Sequence, residues 1–175
     1  MTGNENPSQP DDALSLDFRQ AMRRLTSTVT IVTTAHEGGP LGMTATAVTS
    51  LTTSPPAMLI SINRRASICQ WLGLEQAFCV NLLASSHAGV ANQFAGASPV
   101  SKRFSHGEWR YDNGVPYLAD AVSSLFCTVD LSTDYGTHTI LVGKISKVML
   151  SPKVSPLLYG NGRYSTIASE ITQEI

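Results

Sequence analysis

Short β-prone runs separated by turn signals recur along most of this chain, and the helix-forming stretches between them are few and brief. The run Thr28-Val29-Thr30-Ile31-Val32-Thr33-Thr34 is wholly β-branched, so its side chains suit a pleated surface better than a helical turn. After the break at Ser54-Pro55-Pro56, residues 57–62 make a near-continuous apolar strand, and residues 77–83 make another. Two longer β-rich runs, 122–133 and 137–150, flank Asp134-Tyr135-Gly136, a hairpin signal. Residues 42–48 read as the hairpin partner of the first run, across Glu37-Gly38-Gly39-Pro40. Helical spacing is confined to residues 17–25, with apolar side chains at 18, 21, 22 and 25, and to two short stretches, 67–74 and 86–95. Residues 96–116, rich in Gly, Ser, Pro and charge, read as a long functional loop. A Pro- and Gly-rich connection, 152–163, precedes a short β-prone end at 164–167. Strands this numerous, with helices too few to alternate with them, predict a mostly β fold: a barrel with short helices covering its ends.

A chain of 175 residues is one domain by size. It divides into an N-terminal tail over 1–15, expected to be disordered, a folded unit over 16–168, and a C-terminal tail over 169–175. A net charge of −1 gives no electrostatic pull toward nucleic acid or an anionic membrane. With only 14% charged residues, much surface is left neutral, which suits self-association. No apolar run approaches the roughly 20 residues that span a bilayer. The start of the chain has neither the basic nor the apolar region of a signal peptide, so a cytoplasmic protein is expected. Cys69, Cys79 and Cys127 each lie in an apolar stretch without Cys-x-x-Cys spacing, the pattern of buried reduced thiols.

Familiar catalytic signatures are missing. There is no Gly-x-Gly-x-x-Gly between a strand and a helix, no Gly-x-Ser-x-Gly elbow, and no His-x-x-x-His or carboxylate cluster that suggests a metal. Gly143-Lys144 lacks the upstream glycine and the following Ser or Thr of a phosphate-binding loop.

What stands out is the segment from Gly42 to Ser54, in which seven of thirteen residues carry hydroxyls and none carries a charge. Small side chains let a flat ligand approach the backbone, while hydroxyls and amides offer neutral hydrogen bonds. Alternating threonine also suits a solvated strand face, and both readings stand at this point. Asn63-Arg64-Arg65-Ala66-Ser67 lies between a strand and a helix start, an arrangement suited to phosphate or to a plain solvated turn. Ser101-Lys102-Arg103-Phe104 joins two cations to an aromatic ring, and Arg163-Tyr164 repeats that pairing after a Pro/Gly turn. His138 sits at the predicted hairpin mouth, where a neutral imidazole could donate to a carboxamide or to developing charge.

Taken in order, these pieces resemble the short-chain flavin reductases, the small partners of two-component flavin monooxygenases such as those acting on 4-hydroxyphenylacetate and phenol. The likeness rests on Phe18-Arg19-Gln20-Ala21-Met22, Val29 to Thr34, Gly42-Met43-Thr44-Ala45-Thr46-Ala47-Val48-Thr49-Ser50, Pro55-Pro56, Phe78-Cys79-Val80-Asn81-Leu82-Leu83 and Gly136-Thr137-His138-Thr139. The resemblance implies an FMN-binding split β-barrel with Greek-key connections. It implies transfer of hydride from NADH, in preference to NADPH, to FAD or FMN, with reduced flavin passing by diffusion to a separate aromatic-ring monooxygenase. Thr44, Ala45, Thr46, Ala47, Val48, Thr49 and Ser50 would line the flavin ring and ribityl chain. Ser61, Ile62, Asn63 and Ser67 would hold the phosphate end, with Arg64 or Arg65 adding charge. Phe94, Lys102, Arg103 and Phe104 would cover the outer part, including the adenine half of FAD. His138, the candidate catalytic residue, would stand near the nicotinamide, with Arg163 and Tyr164 holding the NADH side. Relatives pair their barrels, so a homodimer with flavin sites near the interface is expected. Two other readings remain: a non-catalytic flavin carrier or sensor on the same barrel, and a split-barrel oxidase of a pyridoxine phosphate.

Overall fold

The computed structural model describes residues 12–168. In chain order the elements are α1 (Asp12–Arg23), β1 (Ser27–Thr28), β2 (Thr30–His36), β3 (Gly39–Ala45), β4 (Val48–Thr53), β5 (Pro56–Asn63), β6 (Ala77–Leu82), α2 (Ala88–Asn92), β7 (Trp109–Asp112), β8 (Val115–Leu118), β9 (Ser123–Tyr135), β10 (His138–Leu150), β11 (Leu158–Gly160) and β12 (Arg163–Ser165). Seven of the strands form one antiparallel sheet in the order β3-β2-β6-β9-β10-β5-β4.

The two edge strands of that sheet, β3 and β4, are consecutive in the chain and joined only by Thr46-Ala47. A flat seven-stranded sheet would hold its edges about 29 Å apart, six spacings of about 4.8 Å. Three Cα steps reach no more than about 11 Å. The sheet must therefore roll until its edges nearly meet, which makes a barrel. No ladder joins β3 to β4; the backbone bond from Ser61 N to Ala47 O at 2.9 Å carries the β4–β5 pairing one residue into the crossing. The result is the split β-barrel expected from the resemblance.

Both faces of β2 are buried, and strict alternation sorts them. Val32 joins Ile60, Ile62, Phe78, Val80, Val129 and Leu141 inside the barrel. Ile31 faces the other way into a second core with Val29, Leu83, Ala91, Phe94, Leu118 and Leu157, beneath α2. This double cover explains why the run reads as continuously β-branched rather than alternating. Gly143 is required by the barrel core: a Cβ there would stand 2.5 Å from Phe78 Cζ.

Asn81 ties the layers together. Its amide nitrogen donates to Ile31 O at 3.0 Å and to Thr33 Oγ1 at 3.3 Å. Its oxygen accepts from Leu118 N at 2.8 Å and from Ser124 Oγ at 3.2 Å. One fully buried carboxamide thus joins β2, β6, β8 and β9.

Several boundaries differ from the sequence reading. The N-terminal helix begins at Asp12, so residues 12–15, expected in the tail, are helical; the remainder of the two expected tails, 1–11 and 169–175, lies outside the described residues. The partner of β2 ends at Ala45 instead of 48, because the next two residues cross to the opposite edge. The helix expected over 67–74 is a single 3-10 turn, Cys69–Trp71. The helix expected over 86–95 is a 3-10 turn, Ser85–His87, then α2, then a π turn, Gln93–Ala97, closed by Gly96 at φ 110. The long loop contains a 3-10 turn, Val100–Ser105, and the β7–β8 hairpin, whose Asn113-Gly114 turn has both residues at positive φ. Asn161-Gly162 makes the same kind of turn between β11 and β12. His87 is buried and bonds through Nε2 to Asp120 at 2.9 Å.

Replacing Asn81 with Ala leaves several buried donors and acceptors without partners, each costing about 1–3 kcal/mol. Loss of about 3 kcal/mol is expected, read as a lower denaturant midpoint with unchanged slope. The thiols give a second check. Burial pushes Cys127 up to about 12, and burial reinforced by the Cys127 charge raises Cys79 as well. Thiolate is the reactive form, so maleimide at about pH 8 should spare both in the native protein and label them only after denaturation.

Candidate active site

At the seam where the barrel closes, Thr46 and Ala47 belong to neither edge strand, and their amide N–H groups carry no backbone hydrogen bond among the described residues. A peptide segment with unspent donors and small side chains is the wall that a planar heterocycle with a polar edge requires. It borders a cleft of about 450 Å³, whose lining includes Thr44, Ala45, Thr46, Asn92, Gly162 and Tyr164. A second, more apolar cleft of about 540 Å³ lies between α1 and the barrel, lined by Phe18, Met22 and Leu25 among others. Thr46 and Tyr159 line both clefts and so form the divide between them.

The lid over the first cleft is a small sheet, β1-β11-β12. Tyr164 reaches across from β12 and donates its hydroxyl to Asn92 Oδ1 at 3.0 Å, while its ring packs edge-on against Tyr159, 5.4 Å between centroids. Burial, and secondarily the Tyr159 phenol, hold the Tyr164 phenol above its usual range. It remains a neutral donor at physiological pH.

The hydroxyl-rich segment divides into parts with different work. Thr44 donates to Ala91 O at 2.6 Å, so its hydroxyl anchors α2 instead of facing the cleft as a free donor. Ala45 is buried and accepts from Thr30 Oγ1 through its carbonyl at 2.7 Å. Thr46 and Ala47 make the crossing. Val48, Thr49 and Ser50 continue along β4 and pair with β5, with Thr49 and Ser50 exposed.

A second group gathers at the far end of β5. Ser61 bonds to the crossing, Ile62 is wholly buried in the barrel and offers only its backbone, and Asn63 Oδ1 accepts from Arg65 N at 2.9 Å to shape the turn. Ser67 is half-buried at the end of that turn. His138 opens β10 directly opposite Asn63, half-buried, with Nδ1 2.9 Å from the Thr137 hydroxyl. Arg64 is turned toward Asp134, 3.4 Å away, and Asp134 also accepts from Thr139 Oγ1 at 2.7 Å. Arg65 makes no ion pair among the described residues.

Of the group expected to cover the outer part of a cofactor, Phe94, Arg103 and Phe104 also make contacts within the fold. Phe94 is 2% exposed and lies in the second core. Phe94, Phe104 and Trp109 form a mutual cluster with centroids 4.8–5.2 Å apart. Arg103 donates to Gly42 O at 2.8 Å, which fastens the Val100–Ser105 turn to β3. Only Lys102 of the four is exposed.

The chain thus brings Thr44, Ala45, Thr46 and Tyr164 together at one cleft, and Ser61, Asn63, Arg64, Ser67 and His138 at the neighbouring end of β5. Arg163 stands exposed on β12 beside the first group. Asn92 and Tyr159 were missed by sequence reasoning. The Asn161-Gly162 turn signal could have placed Tyr159 on a hairpin over the seam, while nothing local marks Asn92.

Comparison with known proteins supplies the family. Residues 22–168 match the flavin reductase like domain family. The chain is 40% identical over 168 residues to FMN reductase (NADH) RutF 1 of Methylorubrum extorquens, spanning 95% of this chain and 83% of that one. It is 36% identical over 156 residues to the reductase component of a FADH(2)-dependent resorcinol hydroxylase from a Rhizobium species, spanning 87% of each. The structure of the Streptomyces globisporus NADH:FAD oxidoreductase SgcE6, in complex with NAD and FAD fragments, superposes with a TM-score of 0.83 at 29% identity, covering 94% of this chain and 99% of that one. From its sequence, its barrel and the cleft at the barrel seam, the chain belongs to the flavin reductase like domain family.

Proposed function

We infer that the chain is an NADH-dependent flavin reductase that passes reduced FMN or FAD to a separate monooxygenase acting on an aromatic ring. The observation that carries the reading is the Thr46-Ala47 crossing, with its unpaired amides beside a cleft walled by small side chains. The residues fit a flavin: amides for the polar edge of a ring, Thr46 and Gly162 leaving room for its face, and the Asn63–Ser67 turn for a phosphate.

Hydride passes from the nicotinamide of NADH to the flavin ring when both are bound, and no general base is needed for it. The protein's work is therefore orientation and exclusion of water. Thr46, which lines the cleft, would hold one ring edge through its backbone donor. Tyr159 and Tyr164 close the cleft from above, and the bond from Tyr164 to Asn92 holds that cover down. His138 on β10 stands opposite Asn63, two positions along β5 from the Ser61 bond to the crossing. Its imidazole, steadied by Thr137, favours negative charge developing on the ring by donating to it.

The relatives' partners support a two-component system, and the three cysteines, all free thiols, suit the cytoplasm. No helix among the described residues is long and apolar enough to cross a membrane. A homodimer is supported by α1 and the coil just after it, where Leu14, Phe18 and Met22 on the helix and Leu25 beyond its end stand 47–66% exposed. A stripe of that kind is stable in water when a second surface covers it.

Purified protein should oxidise NADH faster than NADPH with FMN or FAD present, followed at the NADH absorbance. Flavin binding without NADH oxidation would instead identify a carrier. His138→Ala should lower kcat/KM for NADH by roughly ten- to a hundredfold while leaving flavin binding within about twofold. Light scattering should give twice the chain mass, and Phe18→Glu with Met22→Glu should shift it toward the single-chain value.

A further inference from the structure

Of the 12 lysines and arginines in the chain, Arg19, Arg23, Arg24 and Arg163 stand at one corner, where the end of α1 meets the β11–β12 turn. Among the described residues the ion pairs are Arg64–Asp134, His87–Asp120 and Lys147–Asp112, so none of these four guanidinium groups has a carboxylate partner. Arg23, Arg24, Gln20 and Asn161 line a recess of about 350 Å³. Its walls hold two cations and two carboxamides, with no acid. The attraction of a helix C-terminus for cations accounts for arginine in the last turn; it does not account for a recess with donors on every side.

The recess is also held in shape. Asn161 N donates to Arg23 O, and the Arg23 guanidinium lies so close over Gly162 that a Cβ there would come within 2.8 Å of Nη2. Gln20, Arg24 and Asn161 line the recess and not the apolar cleft, so covering the apolar stripe leaves that part of the recess available. Arg23 lines both this recess and the apolar cleft, and Asn161 adjoins Gly162 of the ring cleft. The three spaces are therefore contiguous around the β11–β12 turn.

We propose that the recess is an anion subsite that receives the pyrophosphate of the pyridine dinucleotide, NADH. This rests on the reductase reading, which assigns the flavin phosphate to the Asn63–Ser67 turn and so leaves the second dinucleotide needing a polyanion seat of its own. Arginine suits that role because its planar fork donates two parallel hydrogen bonds to phosphate oxygens.

The test uses the full chain with Arg23→Gln, Arg24→Gln and both together, with FMN as acceptor. The KM for NADH should rise about tenfold or more in the double variant, with kcat and the KM for FMN within about twofold, and Arg24→Lys should restore part of the loss. ADP-ribose, which carries the pyrophosphate and no redox ring, should bind the unmodified protein by calorimetry. That binding should weaken with salt and fall about tenfold in the double variant. An unchanged KM for NADH with unchanged ADP-ribose binding overturns the subsite while leaving the reductase intact. A raised KM for FAD with no effect on NADH overturns it too, since the anion bound would then belong to the flavin. Unmodified protein that binds flavin yet never oxidises NADH would instead remove the reductase reading.

Discussion

Two residues decide the shape of this molecule. Because Thr46 and Ala47 alone connect opposite edges of a seven-stranded sheet, the sheet has no flat alternative, and every other strand takes its curvature from that short span. Closure in turn creates an inside and an outside for each strand. It sends Val32 and Ile31 to different cores and leaves a seam where backbone donors cannot all be paired. The proposed site sits at that seam for the same reason that the barrel exists: polar groups unspent by the ladder are available to a ligand.

Closure by so short a span needs support from behind, and the second core supplies it. Asn81 gathers strands from both sides of the sheet around one buried carboxamide. Thr44 fastens α2 to the end of β3, and Arg103 fastens the following turn to Gly42 on the same strand. The aromatic cluster of Phe94, Phe104 and Trp109 fills the space beneath. The strand that enters the seam is therefore held at several points just before the crossing, while β4, which leaves it, pairs with β5 alone among the described strands and packs on the barrel core through Val48.

The fold was legible wherever composition alone decides local structure. The β-branched run became β2, and the apolar runs after Pro56 and Ala77 became β5 and β6, each within a residue or two. Two hairpins were missed although Asn113-Gly114 and Asn161-Gly162 carry the strongest short-range turn signal, because the surrounding Gly, Ser and Pro suggested a plain loop. The site was legible only in part. That Thr46 and Thr44 play different roles depends on α2 passing over one and not the other, a tertiary fact with no local trace. Phe94 and Phe104 looked like cofactor covers because an aromatic beside cations suits stacking, and nothing in the sequence says which way a ring points. Arg64 looked free for phosphate until Asp134, seventy positions later, was folded beside it.

The Asn161-Gly162 turn carries a chemical liability as well as a conformational role. Asparagine followed by glycine is the pairing whose side chain cyclises onto the next amide most readily, and hydrolysis of the ring leaves an acid. At Asn161 that slow ageing would plant a negative charge between Arg23 and Arg24, cancelling part of the positive field at the corner without altering a single strand. The lifetime of the recess as a cationic surface is then set by covalent chemistry at one loop residue, and could run out while the barrel is still fully folded.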